Sequence, residues 1–231
     1  MSLNHSPAIV TDGLVLCLDA ANIRSYPRTG TTWSDLIGTN DGVMQNMTAS
    51  NFSSDNGGIL SFDGSNERVE IDSAVVSAVP LTLCAWIKRT NSSDNAIFQI
   101  HDNSGTSQNA FRMYLTSNNY LNIATRKPDG AIVTGGPITS SSVIGLEFSY
   151  VVGVFESGTS ATLYVNGEES ASGTLSDRLP NSASLNKFFI GDIRAGIWPF
   201  AGIINNVSVY NKALTADEIR RNYEATVGRY T

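Results

Sequence analysis

Two carboxylates and one histidine stand where they could act on a bound substrate. Glu70 and Asp72 alternate along a predicted strand and would therefore share one of its faces. Hydrolysis of a glycoside requires two carboxylates about 5 to 10 Å apart, one on each side of the scissile bond. His101 ends a second predicted strand, beside Asp102. We expect these groups to be polar strand ends, and we assign no catalytic residue.

Two oxygen-rich loops could hold a metal ion or a ligand. The first covers residues 101–109 and the second covers residues 192–196, and each adjoins an apolar strand. Calcium prefers six to eight oxygen ligands from carboxylates, amides and backbone carbonyls, which such loops supply. Trp198 follows the second loop, between Ile197 and Pro199. Its ring would either stack on a sugar or plug the end of the folded domain.

Composition restricts the class of partner. The chain has 231 residues and a net charge of −6, and only 16% of its residues are charged. Binding to a nucleic acid backbone needs a basic surface, so we expect no nucleic acid partner. No apolar run approaches the ~20 residues of a membrane span, so we expect no insertion into a membrane. Residues 1–6 lack the charged and apolar segments of a secretory signal.

The two cysteines, Cys17 and Cys84, both lie within apolar runs. In such surroundings a thiol behaves as a small apolar side chain, so we expect two buried, reduced cysteines. A disulfide between neighbouring strands stays open as the alternative. Two cysteines make neither a zinc site nor a disulfide framework.

Short apolar strands separated by turns dominate the sequence. Residues 96–101, 110–116 and 120–126 predict three strands that follow one another as a meander. An Asn-Gly pair at residues 166–167 is typical of a hairpin turn. No regular alternation of strands and helices appears, which disfavours a parallel sheet. The sequence therefore predicts two packed antiparallel sheets.

The closing strand carries an amide among apolar residues. Ile203, Val207 and Val209 fall on one face at a period of two, and Asn205 falls among them. We therefore expect the Asn205 amide to be buried and hydrogen-bonded.

A capping box marks a short helix near the C-terminus. Thr215 and Glu218 have the spacing in which each side chain bonds the backbone of the other, and Gly228 is placed to end the helix. We expect an all-β sandwich with this one helix appended. We also expect one domain, residues 13–231, after a loose lead-in of residues 1–12.

Both ends of the sequence resemble one family. Residues 199–219 resemble the closing motif of laminin-G-like domains, which commonly reads Phe-x-Gly-x-Ile-Asp-x-Val-x-Ile-Tyr-x-x-Ala-Leu-Ser-x-x-Glu-Ile, with Asn205 here in place of the aspartate. Residues 13–20, Gly-Leu-Val-Leu-Cys-Leu-Asp-Ala, are similar to the opening of such domains, especially those of large phages. The resemblance implies a single concanavalin A-like domain, an all-β, two-sheet antiparallel jelly-roll sandwich.

The resemblance also implies a binding site. In pentraxin-like relatives the two corresponding loops supply calcium ligands, which nominates Asp102, Asn109 and Asp192 as metal ligands and calcium as the cofactor. Together with their neighbours, these residues give the predicted ligand-binding set: Asp102, Asn103, Asn109, Asp192, Arg194 and Trp198.

The superfamily also contains enzymes whose motifs this sequence matches only in part. Its hydrolases carry Glu-x-Asp-x-x-Glu on one strand, and residues 70–75 lack the last acid. One group of alginate lyases carries Gln-Ile-His, which residues 99–101 match without the arginine-rich and Tyr-Phe-Lys-x-Gly partner strands. An enzyme of this type would need His101 in a cleft beside arginine and tyrosine side chains.

Three functional hypotheses of different class follow from the resemblance. The first is a non-catalytic carbohydrate-recognition or adhesion module that binds a glycan through its rim loops, with calcium. The second is a structural protein-interaction domain that decorates a virion or a tail. The third is a polysaccharide lyase or glycoside hydrolase. The expected partner is a glycan or a protein of a larger assembly, at an extracellular or virion surface.

Overall fold

Two antiparallel β-sheets make up most of the fold. The computed structural model describes residues 7–102, 109–126, 136–175, 179–193 and 196–231. The strands, in chain order, are β1 (Leu14–Leu18), β2 (Thr32–Trp33), β3 (Gly42–Gln45), β4 (Phe52–Ser53), β5 (Ile59–Asp63), β6 (Arg68–Ile71), β7 (Leu81–Arg89), β8 (Asn95–His101), β9 (Ala110–Leu115), β10 (Tyr120–Arg126), β11 (Ile138–Val143), β12 (Ser149–Phe155), β13 (Ser160–Val165), β14 (Glu168–Thr174), β15 (Lys187–Ile190) and β16 (Ala201–Tyr210). The α-helix, α1, is Ala216–Thr226, and short 3-10 helices cover Ala49–Asn51, Asp55–Gly57, Ser182–Ser184 and Val227–Arg229.

Each sheet mixes strands from distant parts of the chain. The first sheet has the order β14-β13-β12-β7-β16-β5-β4, and β1 also pairs with β16. The second sheet has the order β11-β10-β9-β8-β15-β6-β3-β2. Strands β8, β9 and β10 pair in sequence as antiparallel neighbours, which confirms the predicted meander. The predicted two-sheet antiparallel sandwich with a C-terminal helix is also confirmed.

Alternation along each strand places one face of each sheet in a shared core. Gly153 of β12 marks a point where the two sheets approach closely. A Cβ atom at this position would lie 2.7 Å from Cγ2 of Ile123 in β10. A larger residue would therefore push β10 outward, away from the first sheet.

The helix α1 covers the outer face of the first sheet. Its predicted capping box is present: Thr215 Oγ1 accepts from the N–H of Glu218 at 3.3 Å, and Glu218 Oε2 accepts from the N–H of Thr215 at 2.9 Å. The indole of Trp86 in β7 donates to Thr226 Oγ1 at 2.8 Å, and Tyr230 stacks on it with ring centroids 4.3 Å apart. No helix in the described ranges is long and apolar enough to cross a membrane.

The segment just before β1 is held against this helix. The N–H of Val10 donates to Asn222 Oδ1 at 2.7 Å, and the Val10 carbonyl accepts from the hydroxyl of Tyr210 at 3.0 Å. Residues 7–12 are therefore fixed to the domain, where a loose lead-in was expected. The sequence did not predict this because the partners lie two hundred or more residues away.

A β-bulge in β16 changes the face that was predicted for Ile203. The pairing of β16 with β7 shifts register after Asn205, and the next residue, Asn206, has a positive φ of 48°. A bulge inserts one extra residue, which exchanges the two faces of the strand beyond it. Ile204, instead of Ile203, therefore lies in the core with Val207.

The Asn205 amide is buried and hydrogen-bonded, as predicted. Its Nδ2 donates to the carbonyl of Gly58 at 2.8 Å and to the hydroxyl of Tyr230 at 3.1 Å. The amide thus joins β16 to the segment before β5 and to the C-terminus, which is a structural role.

The two cysteines are buried free thiols, as predicted. Cys17 of β1 and Cys84 of β7 both pair with Ser208 of β16, one on each side. Two strand spacings, about 9.5 Å, separate the cysteine backbones, whereas a disulfide needs Cα atoms within about 7 Å. The disulfide alternative is therefore wrong.

Candidate functional site

A small pocket lies on the outer face of the second sheet, beside the loop between β15 and β16. Its volume is about 70 Å³. We call it the Trp198 pocket, and the described residues that line it are Arg112, Tyr114, Ala124, Thr125, Arg126, Gly136, Pro137 and Trp198. A space of this size holds a few water molecules or one small substituent of a larger ligand.

Strand alternation brings polar side chains to this pocket. Phe111 and Met113 of β9 lie in the core, so the neighbouring Arg112 and Tyr114 face outward. Ala124 of β10 lies directly opposite Arg112. Because the alanine side chain is short, it leaves room beside the arginine.

The two arginines of the pocket are diagonal neighbours. Arg126 pairs with Ala110, one step along the same face from the pair formed by Ala124 and Arg112. Diagonal positions on antiparallel strands lie about 7–8 Å apart, which is within reach of long side chains. The two arginine side chains therefore belong to the same face of the sheet.

Trp198 forms the aromatic side of the pocket. Its ring centroid lies 5.2 Å from that of Tyr114, with an interplanar angle of 35°. Its backbone φ is 55°, a left-handed conformation that is unfavourable for a bulky residue. The side chain is only partly buried, which leaves ring surface for a ligand.

Asp192 fixes the loop that carries Trp198. The fully buried carboxylate accepts from the N–H of Gly196 at 2.6 Å and from the N–H of Ile197 at 3.1 Å. The carbonyl of Trp198 in turn accepts from the N–H of Ala96 at 2.8 Å. A strained backbone conformation persists where the surrounding contacts hold it in place, and these hydrogen bonds hold the backbone at Trp198.

Two positive charges act on Tyr114 in this pocket. Burial has the largest effect and raises the pKa of the Tyr114 phenol above its ordinary value. The guanidinium groups of Arg112 and Arg126 lower this pKa, and the carboxylate of Asp94 raises it. The net shift is upward, so the phenol is neutral at neutral pH and can donate or accept a hydrogen bond.

Residues 99–101 lie beside the pocket in the same sheet. Gln99 pairs with Arg112 on one side and with Phe189 on the other. His101 is 2% exposed, and its ring contacts Phe189 edge-on, with centroids 4.5 Å apart. The lyase hypothesis required this histidine in an open cleft, whereas the structure buries it against an aromatic ring.

Glu70 and Asp72 each have a cationic partner. Arg68 contacts Glu70 at 2.6 Å, and Lys187 contacts Asp72. Neither acid is among the described residues that line the Trp198 pocket. These contacts agree with the expected role as polar residues at a strand end.

The residues nominated for calcium do not lie together. Asp102 and Asn109 lie at the His101 end of the second sheet, whereas Asp192 lies at the opposite end, where Gly191 bonds the backbone of Ile97. The strand between these ends puts them more than ~10 Å apart, so the three do not fit one calcium site. Across the described ranges, no group of three or more His, Cys, Asp and Glu side chains could hold a metal ion. Calcium binding by this chain stays a prediction.

Of the other members of the predicted ligand-binding set, some are described by the structure and some are not. Asn109 is buried, accepts from the N–H of Asn181 at 2.6 Å and donates to Ser184 at 2.9 Å, so its amide joins two chain segments. Asn103 and Arg194 lie outside the described residues. Of the set, the structure places only Trp198 among the described pocket-lining residues.

Sequence reasoning did not single out Arg112, Tyr114 or Arg126. A signal was present: Arg112 and Tyr114 interrupt the apolar side chains of β9 at a period of two. Such alternation marks the outward face of a strand in an otherwise apolar meander. The pairing with β10, which adds Arg126, depends on register and could not be read in the same way.

Solved structures of similar fold come from carbohydrate-active enzymes. Trypanosoma rangeli sialidase in complex with sialic acid matches with a TM-score of 0.68 and 18% identity, over 97% of this chain and 35% of that chain. Domain 4 of AbnA, a GH43 extracellular arabinanase from Geobacillus stearothermophilus, in complex with arabinotriose, matches with a TM-score of 0.61 and 14% identity, over 91% of this chain and 98% of that chain. The chain thus spans about a third of the sialidase and nearly all of the arabinanase domain. At these identities the similarity shows the fold.

These structures correct the leading functional hypothesis. A non-catalytic recognition or adhesion module was expected, but the similar structures are sialidases and a domain of an arabinanase. That hypothesis is therefore wrong. These structures lend no support to a role in virion or tail decoration.

A search of curated proteins finds no match.

A family model covers most of the chain. The model for a laminin G type domain, described as concanavalin A-like lectin/glucanases superfamily, matches residues 63–220, more than half of the sequence. It covers β6 to β16 and the start of α1, and therefore every described residue of the Trp198 pocket. The chain belongs to the concanavalin A-like lectin/glucanases superfamily.

Proposed function

We propose that this chain is a module of a glycoside hydrolase, and that the Trp198 pocket holds part of the glycan on which the enzyme acts. The observation that carries the proposal is the pair of partly exposed aromatic rings, Trp198 and Tyr114, at a pocket on the outer face of the second sheet. Aromatic rings bind the apolar face of a sugar, and the surrounding donors orient its hydroxyl groups.

The two faces of the sandwich differ in a way that supports this location. On the first sheet, α1 and Tyr230 cover the outer face around Trp86. On the second sheet, the outer face carries the pocket and a partly exposed Trp198. A ligand could therefore reach the pocket at Trp198 and Tyr114, which are partly exposed, whereas Arg112 is 3% exposed.

The similar structures support a glycan as the ligand class. The sialidase structure contains sialic acid, and the arabinanase domain contains arabinotriose. The described lining residues of the Trp198 pocket include no carboxylate, and glycoside hydrolysis needs a pair of them. The role proposed for this pocket is therefore to hold the glycan.

Replacement of Trp198 by alanine tests this role. We expect Trp198→Ala to weaken glycan binding roughly tenfold or more, because the ring would supply a large share of the buried apolar area. The measurement is isothermal titration against a panel that contains arabinotriose, galactotriose, lactose and their acidic counterparts.

Ile197→Ala is the matched control. Ile197 is an exposed apolar residue in the same loop, and it is not among the described lining residues. We expect this variant to bind like the original protein. If no member of the panel binds the folded protein, or if both variants bind equally well, a glycan site at Trp198 is ruled out.

A further inference from the structure

Much of the lining of the Trp198 pocket is carbon. The rings of Trp198 and Tyr114 line it, and so do the apolar residues Ala124 and Pro137. All four residues are at least partly exposed, so a ligand can reach them. Apolar surface of this kind favours a carbon-rich group, because burial removes both surfaces from water.

The described lining of the pocket offers no free charge to a ligand. Arg112 and Arg126 also line it, but each already has an interaction partner, and Arg112 is 3% exposed. The phenol of Tyr114 is neutral at neutral pH, because burial raises its pKa. An ionic group that leaves water without an opposite charge costs free energy, so the group that fits this pocket is neutral.

The Tyr114 hydroxyl supplies one polar contact at this carbon lining. Within the described part of the chain, the Tyr114 side chain contacts the ring of Trp198 and makes no hydrogen bond. Its hydroxyl can therefore donate to a carbonyl oxygen or accept from an amide N–H of a ligand. Such a bond replaces one to water, so its net contribution to binding is modest, but it fixes the orientation of the bound group.

The volume of the pocket limits the size of the group that enters it. The pocket volume of about 70 Å³ corresponds to the space of about two water molecules. The carbonyl and the methyl group of an acetyl substituent match this space, whereas a pyranose ring is too large for it. The sugar ring would therefore stay outside, against Trp198, and only its substituent would enter the pocket.

We infer that the Trp198 pocket selects N-acetylated amino sugars, with the acetamido methyl group against Ala124 and Pro137 and the acetamido carbonyl bonded to the Tyr114 hydroxyl. A hydroxyl substituent in this place would leave the carbon lining in contact with water. An ammonium group would find no carboxylate among the described lining residues. This inference rests on the proposed function, because it names the class of glycan that the same pocket holds.

Trisaccharides that differ only at carbon 2 of each sugar test the inference on the original protein. They are triacetylchitotriose, cellotriose and the deacetylated chitosan trimer, which carry acetamido, hydroxyl and ammonium groups, and they join the titration panel. We expect the acetylated sugar to bind roughly tenfold or more tightly than either of the others, because it adds a buried methyl group and a hydrogen bond. N-acetylgalactosamine and galactose repeat the comparison for the other ring configuration.

Variants locate the preference in the pocket. The quantity measured is the affinity for the acetylated sugar divided by the affinity for its hydroxyl counterpart. Ala124→Leu fills the space proposed for the acetyl group and should bring this ratio close to one. Tyr114→Phe retains the ring and removes the hydroxyl, so the ratio should fall roughly threefold or more. Ala216→Leu is the matched control and should retain the original ratio, because Ala216 is exposed on α1 and is not among the described lining residues.

The outcomes distinguish this inference from the proposed function. If the original protein binds acetylated and hydroxyl sugars equally in both ring configurations, the selection of acetamido groups is refuted, while glycan binding stands. If folded Ala124→Leu or folded Tyr114→Phe keeps the original ratio, the acetyl group does not bind as inferred and the pocket assignment is refuted. If no glycan of the panel binds, both proposals are refuted. Circular dichroism of each variant establishes that it is folded.

Discussion

The backbone conformation of a single residue, Trp198, places an aromatic ring beside Tyr114 on the outer face of the second sheet. A bulky residue with φ of 55° does not hold this conformation by its own preference. The carboxylate of Asp192 accepts hydrogen bonds from the N–H groups of the two residues before Trp198. The carbonyl of Trp198 accepts a hydrogen bond from an N–H group of β8. Asp192 is therefore a positioning residue, one that orients the aromatic ring without being among the described lining residues.

Replacement of Asp192 by alanine is expected to loosen this loop. Asp192→Ala removes two charge-assisted hydrogen bonds and leaves two backbone N–H groups of a buried segment without their acceptor, which destabilises the fold by about 1–3 kcal/mol. Glycan affinity should fall, and the fluorescence of Trp198 should become more accessible to acrylamide. Denaturant unfolding and quenching titrations measure these two effects.

Acrylamide quenching distinguishes a change in the position of Trp198 from a general loss of stability of the fold. The other tryptophans, Trp33 and Trp86, are buried in the fold and should remain protected in a folded variant. Asp63→Ala serves as the control, because Asp63 is exposed and accepts from the N–H of Ser65 in a turn elsewhere. Unchanged quenching and affinity in Asp192→Ala would show that the carboxylate does not fix the conformation of the loop that carries Trp198.

This residue also shows where sequence reasoning reached its limit. The loop that contains Asp192 was recognised as oxygen-rich, and a ligand role was predicted for it. The composition of a loop shows which oxygens it has, but the direction of each oxygen depends on the path of the backbone. Here the path turns the carboxylate inward, onto the N–H groups of Gly196 and Ile197.

At the scale of elements, the sequence predicts structures that depend on local contacts. It does not predict the register in which distant strands pair. The capping box of α1 could be predicted, because Thr215 and Glu218 lie three residues apart and their contacts are local. The bulge at Asn206 could not, because it arises where β16 pairs with β7, more than a hundred residues earlier. The diagonal placement of Arg112 and Arg126 depends on register in the same way.

The capping box predicts a measurable contribution from Thr215. Thr215→Ala removes the hydroxyl that accepts from the N–H of Glu218, and should lower the free energy of unfolding by about 1 kcal/mol. Thr215→Ser retains a hydroxyl and should be within a few tenths of a kcal/mol of the original. Urea denaturation measures both, and equal stability of the two variants would contradict a role for the cap.

At the scale of the whole molecule, burial keeps two thiols and two phenols of the domain neutral. Burial raises the pKa of Cys84 to about 12. Burial, with a smaller effect of Asp19, raises that of Cys17 to about 11. Burial likewise raises the pKa of Tyr150 and Tyr230. In an unfolded chain these thiols would lose their protons near the ordinary value of 9.0.

Stability should therefore fall at alkaline pH. Below about 9 both states keep the thiol protons, and stability does not depend on these groups. From there to about 11 for Cys17 and about 12 for Cys84, the unfolded state releases protons that the folded state retains. Each thiol then lowers the free energy of unfolding by up to ~1.4 kcal/mol per pH unit.

Urea unfolding between pH 7 and pH 11 measures this slope. The variant Cys84→Ala should show a smaller slope than the original, whatever its stability at pH 7. The native protein should also react with a thiol reagent only as fast as it unfolds, since both thiols are buried. A slope that Cys84→Ala leaves unchanged, or rapid modification of the folded protein, would contradict this account.

The contact between Val10 and Asn222 has a practical consequence for how the molecule can be handled. It brings the first described segment of the chain against the last helix, on the side of the sandwich that faces away from Trp198. A tag or a tether joined after Thr231 would therefore leave from the back of the domain, where Tyr230 stacks on Trp86. Protein immobilised through such a tag on a sensor surface would present the Trp198 pocket to the solution, so that affinities can be measured without blocking this pocket.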